Sequence, residues 1–252
     1  MSFMYDLQKP NMWKRIAAAL LDFFVLILIA SAVMLLMVSV FNVDKHTTAC
    51  QTICDEYEAE YGIDLVEYEM TEEEYFSLGE EQKAAYDTAV NDANYHLMMI
   101  ITLTLLSLTI GIFIAYLFAE FIIPLVLKNG QTIGKKAFGI AVMREDGVKV
   151  SALQMFARSI LGKFTIETMA PLLIFLSVYL GALDGLIAII FLLGIAILEI
   201  VLLVTNKTRT PIHDLLAHTV TVDLQSQLIF DTPEELLEYK QAKQVERASR
   251  GD

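Results

Sequence analysis

A chain of 252 residues with 56% hydrophobic and 19% charged residues carries less charge than the roughly one quarter usual in a soluble domain. Its apolar residues are gathered into blocks, which excludes an ordinary water-soluble globule. The net charge is −13, and no nucleic acid is expected as a partner.

Residues 1–15 form a short lead-in, with Trp13 suited to a membrane interface. Residues 16–43 then contain one charge, Asp22. About 20 apolar residues suffice for a helix to cross a hydrocarbon core, so this block reads as the first span. It is too long for a signal peptide, and no small-residue cleavage pattern follows it closely.

Residues 44–95 form an acidic loop. Between Phe41 and His96 there are fifteen acidic and two basic residues, which is the whole imbalance of the chain. Thr71-Glu72-Glu73-Glu74 has the form of a helix capping box. The helix it starts is expected to run to Tyr95, with Gly79 as its one breaker, and on into the second span. Tyr57, Tyr61, Tyr68, Tyr75, Phe76, Tyr86 and Tyr95 supply apolar faces for a small packed cap; disorder is the alternative that such acidity keeps open. Cys50 and Cys54 are disulfide candidates. A disulfide at this spacing needs a non-helical backbone. Free thiols are a second possibility, and a metal site with His46 a third, weakened by the lack of an obvious fourth ligand. No metal or cofactor is expected for the chain as a whole.

Residues 97–127 contain Glu120 as their one charge and form the second span. Residues 128–163 are dense in turn signals. Phe138–Met143 reads as a strand, Arg144-Glu145-Asp146-Gly147 as a turn, and Val148-Lys149-Val150 as the returning strand of a hairpin. Ser151 caps an amphipathic helix reaching Lys163, with Leu153, Phe156, Ala157, Ile160 and Leu161 on one face, able to lie at the interface. Residues 164–183 and 185–204 hold Glu167 and Glu199 as their respective single charges and form spans three and four. In the last segment, 205–252, His218–Asp223 alternates as a strand able to join the hairpin. Thr232-Pro233 opens a final helix. The expected fold is an all-α polytopic membrane protein of four transmembrane helices, with a small cytoplasmic hairpin and strand unit and an acidic extracytoplasmic loop.

Short loops rich in Lys and Arg stay cytoplasmic. Lys9, Lys14 and Arg15 precede the first span. Lys128, Lys135, Lys136, Arg144, Lys149, Arg158 and Lys163 follow the second, and Lys207 and Arg209 follow the fourth. These regions share one side if the span count is even. Four spans put both termini inside and the acidic loop outside.

Ionisable residues at membrane depth cost about 2.5–3.5 kcal/mol on insertion scales and need partners. Arg15 and Asp22 are seven residues apart, about 10 Å along a straight helix, so each is expected to pair with another element: Asp22 with Arg158 or Arg209, Arg15 with Asp214. Glu120 and Glu199 can join Asp22 in a carboxylate cluster that exchanges protons with cations; the alternative is that all three anchor interhelical hydrogen bonds and salt bridges to Arg15, Arg158 and Arg209. Gly130–Lys136 departs from a phosphate loop, which needs four residues before Gly-Lys and then Ser or Thr. Gly130 and Gly134 are expected to allow a tight turn and close packing. His213-Asp214 has no nucleophile in a recognisable elbow, and His213 is expected to bond to backbone.

Arg15 in Trp-Lys-Arg-Ile-Ala-Ala, Asp22 in Leu-Leu-Asp-Phe and Asp214 in Pro-Ile-His-Asp-Leu-Leu-Ala together resemble the RDD family, named for one arginine and two aspartates. The block Gly130-Gln131-Thr132-Ile133-Gly134-Lys135-Lys136 is similar to its central motif. Thr208, His213, Asp214, Ala217 and Thr219 resemble its closing motif. The resemblance covers 12–223 and leaves the acidic insertion and the tail unexplained. It implies a polytopic membrane protein; cation–proton exchange has been proposed for some members.

Transport is the first function expected, a cation/proton exchange through the buried carboxylates Asp22, Glu120, Glu199 and Asp214, with Arg15 as charge partner and a homodimer to supply enough helices. A non-catalytic scaffold or accessory subunit, recruiting protein partners through the acidic loop and the cytoplasmic surface, is the alternative. No enzyme is expected. The lipid bilayer is the expected environment, and the plasma membrane the expected location.

Overall fold

The computed structural model describes residues 7–62, 65, 70–127, 129–205 and 210–250. Lys128, Lys207, Arg209 and Tyr68 lie outside the described residues. The chain is mostly helical. Among the described residues, four helices are long and apolar enough to cross a bilayer: α1 (Met12–Val40), α4 (Glu80–Val126), α6 (Ala152–Tyr179) and α7 (Gly185–Thr205). Large apolar side chains such as Leu35, Phe175, Leu186 and Val204 are exposed along them. In water that surface would be prohibitive; in a bilayer it is the surface the lipid covers.

The chain divides into two compact units, 1–28 with 115–252, and 29–114. In the first, β1 (Ile140–Arg144) pairs antiparallel with β2 (Thr219–Asp223), from Ile140 opposite Asp223 to Arg144 opposite Thr219. Ala141, Met143, Val220 and Val222 form its buried core. The expected hairpin is present in reduced form. Val148–Val150 turns back after Gly147 (φ +97°) but is reduced to single bridges, Met143 with Lys149 and Val148 with Phe230. Arg144 N–H donates to Val148 O (2.9 Å) on the β1 side, while on the opposite edge Lys149 N–H donates to Phe230 O (2.9 Å) and Phe230 N–H donates to Gly147 O (3.1 Å), so the short returning segment bridges two neighbours without a ladder to either. The alternating strand after the fourth span, long enough for a five-residue register, takes the place beside β1.

The tail helix α9 (Pro233–Arg250) starts as expected, with Glu235 N–H donating to Thr232 Oγ1 (3.2 Å). Its Leu236 is buried against Val148 and Phe230. Ser151 also caps as expected, in a reciprocal box with Gln154. Beyond that cap the chain departs from expectation. The amphipathic stretch and the third apolar block are one unbroken helix, α6, so Leu153 and Phe156 lie on the same helix as the third apolar block rather than on a separate one.

The second unit contains α2 (Val43–Tyr61) and α3 (Glu72–Ser77), together with parts of α1 and α4. Thr71 and Glu74 form the expected capping box, and after a break at Leu78-Gly79 the helix runs from Glu80 without interruption into the second span. Tyr57 is buried, with the Tyr61 and Tyr86 rings at 4.7 and 6.0 Å. These residues give the acidic segment a packed interior. Gly111 lets α4 close on α1, since an added Cβ would stand 2.7 Å from Ala30 O.

Cys50 and Cys54 are both on α2 and are thiols, not joined to each other, which corrects the disulfide candidate. The helical backbone persists through both, and at that geometry side chains four apart stack without the χ3 a disulfide needs. His46 does not join them either; its Nδ1 sits 2.9 Å from His96 Nδ1 on α4. The protein denatured without reductant should therefore label two thiols with maleimide per chain, counted by intact mass. A count of zero would restore the disulfide.

Candidate functional site

Eight charged residues of the first unit line one cavity of about 390 Å³. Local geometry delivers them there. Asn129 and Gly130 adopt positive φ, and a Cβ on Gly130 would meet Val142 Cβ at 2.9 Å. The turn thus lies directly against β1, where Gln131 Nε2 donates to Ile140 O (2.7 Å). Thr132 then caps the short helix α5 (Ile133–Ala137), accepting from Lys135 N–H at 3.3 Å.

Asp22, buried on α1, is held by this cap. Thr132 Oγ1 donates to its Oδ2 (2.5 Å) and Gly134 N–H to its Oδ1 (2.7 Å). Lys135 Nζ stands 3.9 Å from Oδ2. A side chain on Gly134 would collide with Ala18 O and the Asp22 carboxyl. Gly134 is therefore required for the approach of α5 to α1, as expected. The partner expected for Asp22 is corrected: the contacts come from Thr132, Gly134 and Lys135, not from Arg158. Arg209 lies outside the described residues.

Asp214 opens the short helix α8 (Ile212–Ala217) and is almost fully buried. Its Oδ1 accepts from Arg158 Nη1 and from Thr219 Oγ1 (2.7 Å), and its Oδ2 from Thr221 Oγ1 (3.2 Å). Arg158, rather than the expected Arg15, is its ion-pair partner. Arg15 lines the cavity beside them. Removing one member of such a buried pair costs about 3–5 kcal/mol.

Two further pairs complete the wall. Lys163 Nζ donates to Glu120 Oε1 (2.7 Å). Glu167 accepts the backbone N–H of His213 (2.9 Å) and its Nδ1–H (2.8 Å). Arg158 Nη2 lies 3.3 Å from His213 Nε2. This arrangement fixes the ring as a neutral tautomer, donating at Nδ1 and accepting at Nε2. Burial, and then the positive charges of Arg158 and Lys163, hold the His213 pKa well below its ordinary value. The backbone partner expected for the His213 ring is corrected: it bonds to two side chains. Gly162 makes room for it, since an added Cβ would be 2.6 Å from His213 Cβ. Glu199, on α7, comes within hydrogen-bonding reach of Glu167 and not into the wall beside Asp22. Burial and then Lys163 lower the Lys135 amine to about 8, against the pull of Glu120 and Asp22.

Helix winding explains how α6 presents Arg158, Lys163 and Glu167 together. Residues nine apart lie about half a turn from each other at 3.6 residues per turn. Between Ala157 and Met169 the helix is π-wound, with Thr165 Oγ1 also donating to Ile160 O, five residues back. At roughly 4.4 residues per turn, two turns bring nine residues back into line. A second π-wound segment, Leu117–Ile122, carries Glu120. Each wide segment ends two residues before a proline, Pro124 and Pro171, whose ring crowds the preceding turn and removes one N–H.

Arginine, two aspartates and the glycine-bearing central block thus meet in space around one cavity. The RDD family model matches residues 9–218. The chain belongs to the RDD family. Neither the curated proteins nor the solved structures gave a match. In this RDD protein, Glu167, Lys163, Thr132, Thr219 and Thr221 are members of the site that sequence reasoning does not single out. Glu167 and Lys163 are readable there as single charges at the start of an apolar block. The threonines carry no signal apart from their places in and beside the central and closing motifs.

The neutral His213 has a consequence for stability. Below about 6.5, the ordinary histidine pKa, the unfolded chain takes up a proton that the folded chain refuses. Stability therefore rises with pH up to that point and levels off above it. In detergent, the unfolding midpoint of wild type should fall between about pH 6.5 and pH 5 by more than that of His213→Gln. Parallel curves would show that the ring is charged in the fold.

Proposed function

We propose that this RDD membrane protein is a carrier that exchanges protons for a small cation at its charged cavity, and that it is not an enzyme. The observation that supports this is the balance of charge on the cavity wall. Asp22, Glu120, Glu167 and Asp214 face Arg15, Lys135, Arg158 and Lys163, four acids against four bases. A cation entering such a low-dielectric site raises its net charge unless another positive charge leaves. Departure of a proton from a lysine ammonium of the wall, Lys135 or Lys163, is the simplest form of that compensation. Groups on α1, α4, α5, α6 and α8 supply the charges, so movement of any one helix alters the field at the others.

The basic segments beside the spans favour a plasma-membrane protein with both termini in the cytoplasm and the acidic loop outside. Four helices enclose little volume for alternating access, which supports a homodimer. The second function, a scaffold, is favoured by one specific feature: Phe76 is 70% exposed on a short helix that starts with three glutamates, a surface suited to a basic, apolar protein partner.

Proteoliposomes with an internal pH dye test the carrier. An imposed gradient of sodium, potassium or lithium should drive proton flux in wild type and at least about tenfold less in Glu120→Gln, the loss expected when one transition-stabilising charge is removed. No flux in wild type with any of the three cations contradicts the proposal.

A further inference from the structure

Lys135 differs from Lys163 and Arg158, its basic neighbours on the cavity wall, in how it is held. Arg158 is locked to Asp214 within a set of threonine hydrogen bonds, and Lys163 meets Glu120 at 2.7 Å. Lys135 makes long contacts, 3.3 Å to Thr132 Oγ1 and 3.9 Å to Asp22 Oδ2. Its side chain is 11% exposed, so the slack is not taken up by open solvent. An ammonium normally approaches a carboxylate to about 2.7–2.9 Å. The oxygens of Asp22 and Thr132 therefore frame a space that the amine occupies without filling.

We propose that Lys135 is a tethered competitor: its ammonium occupies the position at which a partly hydrated monovalent metal cation is bound by Asp22 Oδ2 and Thr132 Oγ1. This rests on the exchange proposed above and names both the ligand class and the residue that sets its affinity. Hard cations take oxygen ligands, and a carboxylate and a hydroxyl oxygen stand closest to the amine on this side of the cavity. Asp22 keeps its other oxygen on Gly134 N–H, so the pocket survives when the amine leaves. A lysine is a compact charge on a flexible four-carbon stem, and Lys135 faces the cavity as it swings. The field it moves in is set by Asp22 on α1, Glu120 on α4, Lys163 and Arg158 on α6, and His213 on α8, whose field it shares. Lys163 and Arg158 repel the ammonium, while Glu120 and Asp22 attract it. Entry of the cation and outward movement of the ammonium leave the charge beside Asp22 unchanged.

The test is cation-dependent stabilisation of the detergent-solubilised protein, at constant ionic strength, with sodium, lithium or potassium chloride against choline chloride. Lys135→Gln removes the competing charge and should respond to one of the metal cations at a concentration about tenfold lower than wild type, equivalent to about 1.4 kcal/mol. Lys135→Arg should respond no better than wild type, and Asp22→Asn added to Lys135→Gln should abolish the response. Equal concentration dependence in wild type and Lys135→Gln, or an equal response to choline, overturns the proposal. Should Lys135→Gln fail to fold, the 15Nζ resonance of Lys135 in wild type decides: it moves with the metal cation and not with choline, or the proposal is wrong. A selective response without proton flux in vesicles would leave the site standing and end the carrier; flux with an unresponsive Lys135 would do the reverse.

Discussion

An ionised carboxylate loses several kcal/mol of hydration when it is buried, and the loss is tolerable where donors are already in place to receive it. Asp22 is the point at which this RDD protein meets that requirement. One oxygen takes the Thr132 hydroxyl and the other the Gly134 amide, so a side chain on the first span is satisfied by a turn of backbone more than a hundred residues away. The demand runs in both directions. The first amides of α5 would be unsatisfied without an acceptor, and the carboxylate would be unsatisfied without α5. Gly134 has to be glycine for the two to meet, and Gly130 has to bend the chain so that Thr132 arrives in register. The central motif is therefore a receptor for the first aspartate.

Asp214 solves the same problem by other means. Its donors are Arg158 from a π-wound turn and two hydroxyls from β2. Because Thr219 and Thr221 alternate along a strand, both reach one carboxylate only if that strand is paired and straight, and β1 supplies the pairing. The small sheet thus has an electrostatic duty as well as an apolar core. Wide winding of α6 has a matching role. It places Arg158 against Asp214 and Glu167 against His213 from one helix face, which regular α-winding would separate. Once the two aspartates are saturated in this way, the cavity is lined by groups with more slack, Lys135 above all.

Legibility in the sequence tracks the range of the interaction. The four spans, the caps at Thr71, Ser151 and Thr232, and the tight turn at Gly130 are local and can be read from residue type and spacing. The charged residues that matter are also visible, because a lone charge in an apolar block is conspicuous. Their pairing is not. Sign alone matches Asp22 to arginines, although a hydroxyl, an amide and a lysine satisfy it; sign says nothing about neutral donors. The return segment at Val148–Val150 makes only single bridges, one to Met143 and one to Phe230, and spacing does not reveal the Phe230 neighbour, distant in sequence. The two cysteines suggest a bridge by their place in a loop expected outside, but the helix through them is stabilised by tyrosines from α2 and α4, and on a helix their spacing does not allow one. The π-wound segments do have a local sign in Pro124 and Pro171, each a few residues beyond a charged group, though a proline alone does not say which way the winding will change.

Energetic coupling between Asp22 and Thr132 is the most direct measurement of the central claim. A double-mutant cycle of Asp22→Asn and Thr132→Val, read as unfolding free energy in detergent, should give an interaction of about 1–3 kcal/mol, the range for residues sharing a buried hydrogen-bond network. Effects that add to within about 0.5 kcal/mol, as they do for distant sites, would mean that the first aspartate and the central motif are not joined, and the account built on their contact would fall.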